Sequence, residues 1–150
     1  MGLLQVPESL KNAHEALHGG LRRAMREPGR TGELARKIMQ IMDGHMLREE
    51  KFALRPLGLL KALGRGETPP DLAEALRMVQ GLKREMAQMV DEHRQIAELL
   101  RQFAQDAEAE GKPEYVGVAE DLVVHAQLEE DVLYPAALLV GAYAELVRKN

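Results

Sequence analysis

The feature that most restricts how this chain can fold is a set of polar residues set into apolar helical stripes. Four such stripes run along the sequence, each carries one histidine, and two also carry a glutamate one turn further on. His45 and Glu49 stand in "HMLREEKFALRP", residues 45–56, and His125 and Glu129 in "HAQLEEDVLYP", residues 125–135. At positions i and i+4 an imidazole and a carboxylate share one helix face. A carboxylate taken into an apolar core without a partner is strongly unfavourable. The fold must therefore bring something positive to meet these groups.

The stripes keep the three-and-four spacing of core-facing helices. Leu10, Leu17 and Leu21 accompany His14, and Ile38, Ile41, Met42 and Phe52 accompany His45 and Glu49. Met86, Met89, Ile96, Leu100 and Phe103 surround His93, and Val118, Leu122, Val132 and Leu139 surround His125 and Glu129. Aromatic and β-branched residues are scarce while Ala, Leu, Met, Glu, Arg and Lys abound, which favours helix over strand.

Punctuation divides the chain into four helices. "VPES" opens the first, from about Glu8 to Arg26, and "EPGRTG" closes it. Thr31 is the expected N-cap of the second, which continues to about Leu63. Thr68 as cap and Pro69 as first-turn proline are expected to start the third, which runs to about Ala109. The fourth starts near Pro113 and reaches the C-terminus. Pro56 and Pro135 fall inside the second and fourth helices and are expected to kink or interrupt them, because each removes a backbone donor. Short first and last connections make two antiparallel hairpins. The expected fold class is all-α, an up-down antiparallel four-helix bundle, in one domain over residues 1–150.

The two hairpins repeat one another. His93 lies 79 residues after His14, His125 lies 80 after His45, and Glu49–Glu50 map onto Glu129–Glu130. A duplicated helical hairpin explains this. Near-equal distances from the turns at Gly29 and Lys112 put the two histidines of each hairpin at one level of the bundle.

One histidine on an apolar stripe is ordinarily a structural residue, hydrogen-bonded in the core. Four at a common level, two with a glutamate beside them, point to a metal site, since a cation offsets the cost of the carboxylates. A salt bridge is the alternative, but the stripes offer no basic residue at that level. Glu50 and Glu130 point about 100° further round their helices and are assigned to a supporting or solvated role. His18, one turn after His14, is a fifth ligand or a supporting residue, and its counterpart Ala97 offers no symmetric partner. Tyr115 and Tyr134 are assigned to packing, with hydrogen bonding near the site as the alternative.

Mixed imidazole and carboxylate ligands suit Fe, Mn, Zn or Cu. Four histidines and two carboxylates exceed what one structural zinc takes. They suit two adjacent metals, each with two imidazoles and both carboxylates bridging.

Other chemistries are excluded. There is no cysteine, hence no disulfide, thiolate catalysis or iron–sulfur ligation. The net charge of −4 argues against a nucleic-acid partner, and Arg22, Arg23 and Arg26 read as a solvated helix face. "AALLVGAYA" is too short to span a bilayer, and "MGLLQVPESL" has no signal-peptide pattern. A soluble cytoplasmic protein with no membrane partner is expected.

His14, "HMLREE", "DEHRQI" and "HAQLEEDVLYP" together resemble the hemerythrin-like, or HHE cation-binding, family of helical bundles, over essentially the whole chain. The resemblance implies a non-haem di-iron centre, two iron ions with an oxo or hydroxo bridge, for which Mn or Zn can substitute. His14, His45, His93 and His125 would be terminal ligands and Glu49 and Glu129 the bridging carboxylates. Oxygen-carrying hemerythrins differ in having H-x-x-x-H on the third helix, where this chain has His93 and Ala97, and H-x-x-x-x-D on the fourth, where it has Glu130. The four-His, two-Glu set is closer to the di-iron domain of bacterial iron-centre-repair proteins.

The function expected from the resemblance is binding or sensing of dioxygen, nitric oxide or peroxide. The alternatives are a redox enzyme or repair factor that reduces such ligands or donates iron, and an interaction module in which metal only stabilises the bundle. The first helix begins only about seven residues before His14, so the far end of the bundle is expected to hold three helices. Leu57, Leu59, Leu60, Leu72, Leu76 and Val79 are expected to form a homodimer contact or an apolar access path there, unless residues 1–7 cover them.

Overall fold

The computed structural model describes residues 2–150. Its helices are α1 (Glu8–Met25), α2 (Gly29–Glu49), α3 (Leu60–Gly64), α4 (Leu72–Ala109), α5 (Glu114–Leu128) and α6 (Tyr134–Lys149). A π-helical turn (Glu50–Leu54) and a 3-10 turn (Arg55–Leu59) join α2 to α3, and a π-helical turn (Glu129–Leu133) joins α5 to α6. The rods α1, α2–α3, α4 and α5–α6 form the expected up-down bundle: α1 packs on α2 and α5, and α4 on α2, α5 and α6.

The apolar core lies in three blocks. Leu21, Leu34, Ile38, Leu100, Phe103 and Leu122 fill the end with the two hairpin turns. Leu54, Leu57, Leu82, Met89, Tyr134 and Ala137 form a second block. Leu4, Leu59, Leu72, Met78 and Val140 close the far end. The His/Glu level falls between the first two.

Both expected caps are corrected. α2 starts at Gly29, whose φ of +76° turns the chain into the helix, and Thr31 sits fully buried in the first turn. The cap comes from the opposite hairpin. Glu110 accepts the backbone N–H groups of Arg30 (2.9 Å) and Thr31 (3.0 Å), and the Thr31 hydroxyl at 2.5 Å. The third rod begins at Leu72 rather than after Thr68–Pro69, and Asp71 at its N-cap accepts the N–H of Leu3 at 3.1 Å instead of a helix donor.

The prolines act as expected, through a particular device. Pro56 and Pro135 each come just after a π-helical turn, in which Arg55 N–H reaches Glu50 O and Tyr134 N–H reaches Glu129 O. The chain stays helical, but each turn holds an extra residue and rotates the helix beyond it. Tyr134, Ala137, Val140 and Gly141 therefore face the core, and Val132 and Leu139, expected there, are 52% and 68% exposed.

The far end is covered. Leu4 is buried in the block beneath it, and Arg55 Nε donates to Leu4 O at 3.1 Å. Of the six residues expected to lie open, Leu57, Leu59, Leu72 and Val79 are buried, Leu76 is half-buried and Leu60 is exposed. Gly58 permits this closure, since a side chain there meets the carbonyls of Leu3 and Gln5.

Candidate metal centre

All four histidines reach one level, but their closest pairing crosses the hairpins. His14 Nε2 lies 2.7 Å from His125 Nε2, and His45 Nε2 lies 2.9 Å from His93 Nε2. The turn distances predict pairing within each hairpin; in a square bundle α1 also flanks α5 and α2 flanks α4, and those faces bring the rings together.

The two glutamates lie between the pairs. Glu129 Oε1 is 3.1 Å from His93 Nε2, and its Oε2 is 3.1 Å from His125 Nε2 and 3.3 Å from His14 Nε2. Glu49 Oε2 is 3.1 Å from His45 Nε2, and its Oε1 is 3.5 Å from His14 Nε2. Each carboxylate thus directs one oxygen at each histidine pair. His45, Glu49, His93 and Glu129 form one cluster of donor atoms within 4.8 Å of one another, and His14, His125 and Glu129 a second.

Glu49 is fully buried, and His14, His45, His93 and Glu129 are nearly so. Glu49 Oε1 has no hydrogen-bond partner among the described residues, a costly state for a buried carboxylate oxygen. Nε2 atoms that face one another across less than 3 Å and an orphaned carboxylate oxygen between them are what a cation resolves. The donor set fits a metal site.

A surrounding layer orients some of these side chains. His45 Nδ1 donates to Glu92 at 3.0 Å, and Arg48 pairs with the other Glu92 oxygen. His93 Nδ1 donates to Glu130 at 2.7 Å, a contact in keeping with the supporting one of the two roles, supporting or solvated, expected of Glu130. With Nδ1 carrying the proton, Nε2 presents its lone pair to the centre. The Tyr134 hydroxyl donates to Glu49 Oε2 at 2.5 Å while its ring stacks on His93, so Tyr134 belongs to the site and not only to the core. Tyr115 does not, since its hydroxyl reaches Glu27 near the turns.

The electrostatics without a cation show a crowded centre. Burial would lower the pKa of His14 and His93, but contacts with Glu129 and the charges of both glutamates outweigh it and raise them. Burial, reinforced by Glu129 alongside, raises Glu49 above the usual carboxylate range against the pull of His45 and Tyr134. Burial opposes ionisation of Glu129 too, yet donors from Glu49, His125, His14 and His93 hold it far below that range. Two carboxylates with one shared proton are the expected state of such a pair.

The remaining candidates stand at the edge. His18 stacks on His14 at 5.7 Å, belongs to neither donor cluster, and is lowered to about 4 by burial, by His14 and by Arg22. Glu50 is exposed and hydrogen-bonds to no histidine among the described residues. Both line an open cavity of about 670 Å³ beside α1, with Lys11, His14, Arg22 and Met46.

Glu92 escapes a reading of the sequence, and Tyr134 is assigned by it to packing first, for definable reasons. Glu92 adjoins His93 in "DEHRQI", but it serves His45, 47 positions away on another rod. Tyr134 lies five residues after Glu129, off the face by α-helical spacing and returned to it by the π-helical turn.

No helix among the described residues is long and apolar enough to cross a membrane. No curated protein and no solved structure matches this sequence. A family model, that of the hemerythrin HHE cation binding domain, matches residues 5–137. That span holds every histidine and glutamate of the centre, and the chain belongs to the hemerythrin HHE cation-binding domain family.

Proposed function

We propose that the centre holds two iron ions, which Glu49 and Glu129 would share, and that this pair binds or senses dioxygen, nitric oxide or a peroxide in the cytoplasm. The observation that carries the reading is the division of donors. Two histidine pairs face each other across two carboxylates, and each carboxylate offers one oxygen to either side. Two ions would use all of these atoms, whereas a single ion would leave one histidine pair facing itself.

His14, His45, His93 and His125 would hold the ions through Nε2. When bound, iron supplies the redox capacity and open coordination that the side chains lack. The protein orients two of the imidazoles through Glu92 and Glu130, holds the Tyr134 proton against Glu49, and flanks the level with apolar blocks above and below. The cavity at His14 gives a small ligand its approach.

A second reading, a redox enzyme or iron-donating repair factor, is favoured by the same cavity, which at about 670 Å³ far exceeds what a diatomic needs. Anaerobic titration with ferrous iron, followed by air, separates these. Two irons per chain and visible bands that reverse on degassing support binding or sensing, whereas persistent bands support redox chemistry. Fewer than two irons per chain, or a spectrum indifferent to air, would overturn the di-iron reading in favour of a structural metal.

A further inference from the structure

We propose that the two metal positions are unequal by construction: the His45–His93 position retains its ion, and the His14–His125 position exchanges its ion. This rests on the dinuclear reading above and concerns how the chain's own residues divide the work.

The duplicated hairpin supplies an internal control. A shift of 79 residues maps His14 onto His93, and one of 80 maps His45 onto His125. Under these shifts each support of the first position has a counterpart beside the second. Glu92, which holds His45 Nδ1, maps onto Ala13. Arg48, which holds Glu92, maps onto Leu128. Tyr134, which holds Glu49, maps onto Leu54. Glu130, which holds His93 Nδ1, maps onto Glu50, and Glu50 is exposed in the cavity wall instead of bonded to His14.

One half of the pseudo-symmetric site has a complete supporting layer, and the other has lost three members and turned the fourth to solvent. Carboxylates behind histidine ligands raise their basicity and fix the ring, and losing one typically weakens metal binding roughly 10- to 100-fold. The donor atoms agree. Glu49 lies 3.1 Å from His45 but 3.5 Å from His14, where its Oε1 has no hydrogen-bond partner among the described residues. Both positions meet a cavity, His14 the one of about 670 Å³ and His93 a smaller one of about 340 Å³, and of the four histidines His125 has the most exposed side chain, at 13%.

The test is loss of iron to a ferrous chelator from the anaerobically loaded, full-length protein. One ion per chain should leave at least about tenfold faster than the other. His14→Ala should remove the fast ion and leave the slow one. Glu92→Gln should speed the slow phase roughly 10- to 100-fold with the fast phase unchanged. Ala13→Glu, which restores the missing carboxylate behind His125, should slow the fast phase. Circular dichroism checks that each variant keeps its helices.

Release of both ions in one phase overturns the inequality and leaves the dinuclear reading standing. So does a Glu92→Gln variant in which the fast phase changes and the slow one does not. Loading below two ions per chain is the distinguishable failure, since it overturns the dinuclear reading and this inference falls with it.

Discussion

Tyr134 shows how much a single residue contributes to holding the centre together. Its hydroxyl is buried, and its pKa is pushed well above the usual phenol range by burial and by the charges of Glu49 and Glu129, so it stays a donor. Tyr134→Phe keeps the ring and removes that donor, leaving Glu49 short of one hydrogen bond. The expected cost is about 1–3 kcal/mol of stability, read by denaturant unfolding, with two irons still bound. A loss within about 0.5 kcal/mol, the range of an ordinary surface change, would deny the bond its role. At this scale the sequence is informative about the residues that converge at the centre and poor about their supports. His14, His45, His93, His125, Glu49 and Glu129 are visible because polar groups on an apolar stripe break a local pattern. Glu92, Arg48 and Tyr134 break none, since their partners sit on other rods or behind a π-helical turn.

Among elements, the rods are legible and their joints are not. Helix extent comes from periodicity along one length of chain, whereas the N-terminus of α2 is satisfied by Glu110 from the other hairpin, a contact with no local signature. That cap has a pH signature. The Thr31 hydroxyl and the Arg30 and Thr31 N–H groups lower the Glu110 pKa to about 2, below the ordinary glutamate value of 4.5 that an unfolded chain restores. A depressed folded pKa contributes stability that is complete above the unfolded value and is lost as pH falls toward the folded one. Between about pH 4.5 and pH 2, wild-type stability should therefore fall more steeply than that of Glu110→Gln. Thermal midpoints of the two proteins across this window check it, and parallel acid limbs would assign the cap no ionic character. A second joint is the contact of Gly141 with Val79, where α6 crosses α4. A methyl group there drives into the Val79 side chain, so Gly141→Ala should destabilise by about 1–3 kcal/mol in a denaturant titration.

At the scale of the whole molecule, the bundle sets apolar blocks on either side of a polar level, and that level couples folding to metal. Without a cation the centre must fold around facing imidazoles, paired carboxylates and an orphaned oxygen. An ion that binds the folded chain alone removes those costs and adds a linkage free energy that grows with its concentration, about 4 kcal/mol at a thousand times the dissociation constant. Removing metal should lower the thermal midpoint, and adding ferrous iron anaerobically should raise it in proportion to the logarithm of the free ion concentration. The unequal positions give the curve two limbs: an early gain as the His45–His93 position fills, and a further one at higher concentration as the His14–His125 position fills after it. His14→Ala should erase the second limb and keep the first. Calorimetry of the chelated, singly loaded and doubly loaded protein reads both limbs. A midpoint indifferent to iron would mean that the polar level is held by its own proton sharing, without a cation.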